Sequence, residues 1–173
     1  MNQKQYLKLH EELCATAALL DVNEIHQPLS TIFADLCEDV CVPRRRILAQ
    51  HSAMWLIRKA SQLAGRNTSE AVEGFGATGR ELSLRKNKDY ADPDRATDPK
   101  FAIFKNFMKC EQLGICSVEA GFLVRLSDKV ARCETLMARD EGPAVVDEKL
   151  DDTLLDVVNY TCLLIAYLKT KSE

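Results

Sequence analysis

No apolar run in this chain approaches the roughly 18 residues that a membrane-spanning helix needs. Met1 to Leu20 also lacks the apolar centre of a signal peptide, because Lys4, Lys8, Glu11 and Glu12 are spaced through it. Both absences lead us to expect a cytoplasmic protein without a membrane partner. Positive charge is not in excess: 23 Lys and Arg stand against 26 Asp and Glu, giving a net charge of -3 and a pI near 5.7. That balance argues against non-specific binding to a nucleic-acid backbone or an anionic membrane surface, and leaves a small molecule or a protein as the expected partner. No stretch alternates with period two for long enough to build a sheet, and no repeat is present. The seven cysteines include no CxxC pair. Cys37 and Cys41, with His26 or His51, are the set weighed for zinc, but cysteines in Leu- and Ala-rich cytosolic helices are more commonly small buried hydrophobes.

What is present is helical periodicity. The chain has 173 residues, 46% of them hydrophobic, enough for one core and one compact domain. Tyr6, Leu9, Leu13, Ala17 and Leu20 define a first amphipathic helix over Gln3 to Leu20. Pro28 can open a second, and Pro43 a third that Gly65 stops. Arg66 to Gly79 holds three glycines and reads as irregular, followed by a helix from about Arg80 to Lys88. Asp89 to Pro99, with two prolines and four aspartates, reads as a loop. Phe101 to Leu113 is a short helix, Ser117 is a suitable N-cap for Val118 to Ala138, and Gly142-Pro143 breaks the chain before a final helix over Asp147 to Lys169. The expected fold class is all-α, a bundle of about six to seven helices.

The final helix carries the most informative pattern. Glu148, Asp152, Asp156 and Asn159 fall on one face of an otherwise apolar segment, and like charges so close call for a cationic neighbour or a divalent metal. On the preceding helix Arg125, Asp128, Lys129 and Arg132 border the apolar face. If the two helices pack antiparallel, Lys129 and Arg132 approach the acidic stripe. That arrangement is either an interhelical salt-bridge network or a polar pocket in which carboxylates hold Mg²⁺ and cations hold phosphate oxygens. Lys88, Asp89, Tyr90 and Asn106 add an ammonium, an amide and a ring of the kind a nucleotide needs. Arg44-Arg45-Arg46 reads instead as a solvated patch paired locally with Glu38 and Asp39.

The ordered motifs K-N-K-D-Y from Lys86, D-P-x-x-x-x-F-x-N-F from Asp98, G-x-x-S-x-E-x-G-x-x-V-R-x-S-D-K-x-x-R from Gly114 and D-E-x-x-x-D-T-L-L-D-x-x-N-Y from Asp147 resemble the phage and bacterial nucleotide modification associated domain, a small all-α family. The resemblance covers about Glu81 to Leu168. It departs from the family at Ala91, where Gly is frequent. It implies an N-terminal helical region at 1–79, a nucleotide modification associated domain at 80–173, and a role in phage-type nucleotide metabolism or DNA-base modification in the host cytoplasm. More distantly, Asp152-Thr153-Leu154-Leu155-Asp156 is similar to the EExxD motif of MazG-like all-α nucleotide pyrophosphohydrolases. Thr153 replaces its second Glu, and upstream only Glu70 and Glu73 have ExxE spacing.

These likenesses imply a (deoxy)nucleoside triphosphate cut to monophosphate and pyrophosphate. Glu148, Asp152, Asp156 and Asp128 would hold Mg²⁺. Asp152, Asp156 and Lys129 would act in catalysis, while Lys88, Asp89, Tyr90, Asn106, Arg125, Arg132, Asn159 and Tyr160 would hold the substrate. The alternatives are a protein that binds or sequesters a nucleotide or nucleotide-derived signal without cutting it, and a structural helical subunit. The apolar residues before Gly79, Phe33 and Trp55 among them, suit either a homo-oligomer or the completion of the monomer's own core.

Overall fold

The computed structural model describes residues 1–90, 102–139 and 149–172, and side chains for 1–86, 103–139 and 149–171. Among the described residues there are seven α-helices and no strand: α1 (Gln3–Ala18), α2 (Leu29–Cys41), α3 (Ala49–Leu63), α4 (Ser69–Tyr90), α5 (Lys105–Gln112), α6 (Val118–Met137) and α7 (Leu150–Ser172). The all-α expectation holds.

Several boundaries follow from local chemistry. Asn2 and Gln5 form a capping box at the start of α1. Pro28 occupies the N-cap of α2, Ser117 caps α6 by accepting from the Ala120 N–H, and Gly65 ends the α3 region with φ 74°. Pro43 opens a 3₁₀ turn, Pro43–Leu48, rather than α3 itself. In that turn Arg45 pairs with Asp39 at 2.8 Å and Glu38 at 2.6 Å, the local compensation expected of the arginine run.

α7 is the central element. From Thr153 to Ala166 every residue is buried except half-buried Tyr160, so the helix is covered nearly all round. α1, α3, α4 and α6 surround it. α6 runs antiparallel to α7, since Lys171 reaches Glu119 at 2.8 Å near one end and Lys129 reaches Asp156 at 2.9 Å toward the other. α5 closes one side through an aromatic cluster in which Phe107 stacks on Phe122 at 3.6 Å and Phe104 meets Tyr167 edge-on at 5.5 Å. Phe104 and Phe122 are fully buried, each contributing about 1.5–3 kcal/mol of hydrophobic stabilisation.

The segment before residue 80 shares this core. Leu13, Leu36, Leu56 and Ile57 are buried in the same cluster as Leu154 and Leu164, and Phe33 and Trp55 pack against it from partly buried positions. Arg58, 2% exposed, donates to the carbonyls of Leu20, Arg66 and Asn67, which ties the ends of α1 and α3 to the start of α4. α4 itself corrects the expected break. It begins at Ser69 and crosses the 79/80 position without interruption. Two of its glycines serve close approach: a Cβ on Gly76 would lie 2.7 Å from the Cys14 sulfur, and one on Gly79 would lie 3.0 Å from the Asn159 amide oxygen. Asp89 and Tyr90, expected in a loop, belong to the end of this helix.

Candidate functional site

A cavity of about 630 Å³ opens among α4, α5, α6 and α7. Its charged wall is built from three helices. α4 supplies Lys86, α6 supplies Arg125 and Lys129, and α7 supplies Asp156. Asp156 is 8% exposed and bridges both ammonium groups, with Lys86 Nζ 2.6 Å from one carboxylate oxygen and Lys129 Nζ 2.9 Å from the other. Two charge-assisted contacts on one carboxylate hold both lysines at the cavity wall. Among the described residues, three cationic side chains line the cavity against one carboxylate, a local surplus of positive charge that favours an anion.

The opposite chemistry lies beside it. Phe107 and Tyr160 both line the cavity and meet edge-on at 5.8 Å. The Arg125 guanidinium sits 5.9 Å from the Tyr160 ring centre. The adjacent Tyr160 side chain raises the pKa of the already basic guanidinium. Two amides complete the wall, Asn106 and Asn159. Asn159 is 4% exposed; its Oδ1 accepts from His10 Nε2 at 3.1 Å, while its Nδ2 is buried with no hydrogen-bond partner. An amide donor left unsatisfied at the edge of a cavity is costly, and a ligand acceptor would relieve it.

Of the residues expected from sequence, Asp156, Lys129, Arg125, Asn106, Asn159 and Tyr160 come together around this one cavity. Others do not. Asp152 lies one turn before Asp156, where α7 has not yet entered the core, and it is exposed. Asp128 is exposed on α6, and Arg132 is half-buried on the same helix without lining the cavity. Among the described residues, Asp128, Asp152 and Asp156 therefore do not converge as a ligand set for a metal ion; the group of three that does converge is His10, Cys14 and Cys162. Glu148 and the side chains of Lys88, Asp89 and Tyr90 lie outside the described residues.

No protein-family model, curated protein or solved structure matches the chain.

Sequence reasoning missed Lys86, Phe107 and His10. The motif alone favours Lys88, but a helix running continuously from Ser69 puts Gly79, Ser83 and Lys86 at i, i+4, i+7 on one side. Gly79 touches α7, and Lys86 reaches it. Phe107 follows Asn106 in the same short helix and reads as core, which it also is. His10 gave no local signal, because its partner Asn159 lies 149 positions away. The weighed zinc set does not form: Cys37 is half-buried and Cys41 exposed, and neither belongs to a convergent ligand group among the described residues.

Proposed function

We propose that the cavity binds a nucleotide or nucleotide-derived small anion, and that it binds without depending on a divalent metal. Lys86, Lys129 and Arg125 meet the phosphate, Tyr160 and Phe107 offer ring faces or edges to the base, and Asn106 and Asn159 hydrogen-bond to polar edges of base or sugar. The observation that carries this reading is the pairing of Asp156 with two lysines at the wall of a cavity that also holds an unsatisfied buried amide. The cavity volume of about 630 Å³ suits a small-molecule ligand, for which sites typically span ~300–1,000 Å³. The motif resemblance points to the same ligand class, since residues from all four motifs line this space: Lys86; Asn106 and Phe107; Arg125 and Lys129; Asp156, Asn159 and Tyr160.

Two observations favour binding over metal-dependent hydrolysis. Asp156 is already neutralised by two ammonium groups, and among the described residues no second carboxylate joins it in the cavity. A carboxylate with both oxygens already paired to ammonium groups is a poor anchor for Mg²⁺, which takes oxygen ligands in near-octahedral geometry. In this role Asp156 positions the lysines.

The test is a thermal-shift panel of ribo- and deoxynucleotides with Mg²⁺ and with EDTA, followed by chromatography of the stabilising ligand. A ligand at a hundredfold excess over its Kd contributes about 2.7 kcal/mol, a rise in Tm of roughly 5–10 °C for a domain of this size. We expect that rise in EDTA, with the ligand recovered intact. Stabilisation that needs Mg²⁺ and ends in monophosphate plus pyrophosphate would support the hydrolase reading instead.

A further inference from the structure

Behind the cavity wall, where α1 crosses α7, His10, Cys14 and Cys162 face one another with their ligand atoms all within 4.8 Å. All three are buried, at 0%, 3% and 0% exposure. From this convergence we propose that His10, Cys14 and Cys162 form a zinc site that pins α1 to α7.

The geometry of His10 is already that of a metal ligand. Asn159 Oδ1 is a carbonyl oxygen and can only accept, so His10 Nε2 carries the proton and donates to it at 3.1 Å. Nδ1 is then the ring nitrogen available to a metal, and it faces the Cys14 sulfur at 3.7 Å. A second hydrogen bond that fixes tautomer and ring orientation is the usual support of a metal-bound histidine. Cys14 follows His10 by one helical turn on the same face of α1, so the two are presented together, and Cys162 closes the set from the opposing helix.

Distances and charge favour zinc. Bond lengths of ~2.3 Å to sulfur and ~2.05 Å to nitrogen put tetrahedral S···N and S···S edges at roughly 3.6 and 3.8 Å. The His10–Cys14 edge of 3.7 Å needs no adjustment. The longest edge the set contains, at most 4.8 Å, would contract by about 1 Å to reach that geometry. Binding releases the two thiol protons, and a divalent ion with two thiolates and a neutral imidazole is neutral overall, so it can be buried without a counter-charge. A monovalent copper ion in the same place would leave a buried negative charge. Three protein ligands leave one tetrahedral position for a ligand that is not one of these three side chains.

This proposal is independent of what occupies the cavity. It is tested on the full chain, refolded with Zn²⁺ or Co²⁺ under reducing conditions, by native mass spectrometry and absorption spectroscopy. One zinc per chain is expected, and the cobalt form should show thiolate-to-cobalt charge transfer with the intensity of two thiolates. The ion should be lost in Cys162→Ser and kept in Cys133→Ser, which alters a buried cysteine outside the set. The wild-type cobalt spectrum decides on its own, whether or not Cys162→Ser folds. A wild-type chain that binds no ion or shows no charge transfer overturns the proposal, as does a folded Cys162→Ser that retains zinc.

Discussion

Asp156→Asn separates the two uses of the site most sharply. The carboxylate is buried, but its partners are not: the Lys86 and Lys129 side chains are 42% and 23% exposed. Truncating one partner of a fully buried pair costs ~3–5 kcal/mol, and losing an exposed pair ~0–1 kcal/mol. This half-exposed pairing falls between, at about 1–3 kcal/mol. For a chain of 173 residues, we expect Tm to fall by about 2–12 °C. The effect on an anionic ligand is different. A phosphate held by the same two lysines would sit on the order of 6 Å from the Asp156 carboxylate, a repulsion of about 3 kcal/mol at an effective dielectric of 20 before solvent screening. Asparagine removes that repulsion but loosens both lysines, at about 0.5–1.5 kcal/mol for each side chain that must be re-ordered. The balance leaves affinity between unchanged and roughly tenfold tighter. Calorimetric titration of the folded variant in EDTA reads this directly. A variant that is folded yet has lost the ligand, or that binds only with Mg²⁺, would refute the reasoning and return Asp156 to a metal-binding role.

Gly76→Ala should destabilise by about 1–3 kcal/mol in urea unfolding, because its Cβ would meet Cys14 at 2.7 Å, whereas Gly74→Ala, with nothing within 4 Å, should stabilise by about 0.4–1 kcal/mol; equal effects would contradict the close α1–α4 approach. Glu119 supplies a pH dependence. Desolvation pushes its pKa up, but Lys171 and Arg46 more than offset this and hold it below the ordinary value of 4.5. Stability from this group is therefore present above that value and lost as pH falls through the lower folded pKa. Glu119→Gln should flatten the acid limb of a plot of urea midpoint against pH, and an unchanged slope would show that the pairing contributes nothing. Tyr160→Ala should weaken an aromatic nucleotide by about 1–3 kcal/mol while sparing inorganic pyrophosphate, and Tyr160→Phe should retain most of that affinity. Equal losses for both ligands in the alanine variant would show that the ring is not used for stacking.

The helices could be read from sequence where punctuation and periodicity agreed. Ser117, Pro28 and Gly65 mark ends that hold, and the apolar residues flanking the polar stripe of α7 read as a helix. The start of α4 was lost because Gly74, Gly76 and Gly79 lower helix propensity locally. Two of the three have a tertiary use: Gly76 and Gly79 admit Cys14 and Asn159, and packing outweighs a propensity cost of about 1 kcal/mol each. Of the described stripe residues, Asp156 and Asn159 line the cavity and Asp152 does not, for a similar reason. Helical phase puts Asp152 and Asp156 on one face, but phase does not say how far along that face the neighbouring helices reach, and cover begins between them. Pairwise partners from distant segments, Lys86 with Asp156 and His10 with Asn159, leave no local pattern at all.

The central claim is that Lys86, Lys129 and Arg125 make this cavity a receptor for a nucleotide-type anion. Isothermal titration of the wild-type chain and of Lys129→Ala with a nucleotide panel in EDTA tests it most directly. Saturable binding of at least one nucleotide at one per chain, weakened at least tenfold, about 1.4 kcal/mol, in Lys129→Ala, is the predicted result. Absence of binding by every nucleotide, or binding that Lys129→Ala leaves untouched, would contradict it.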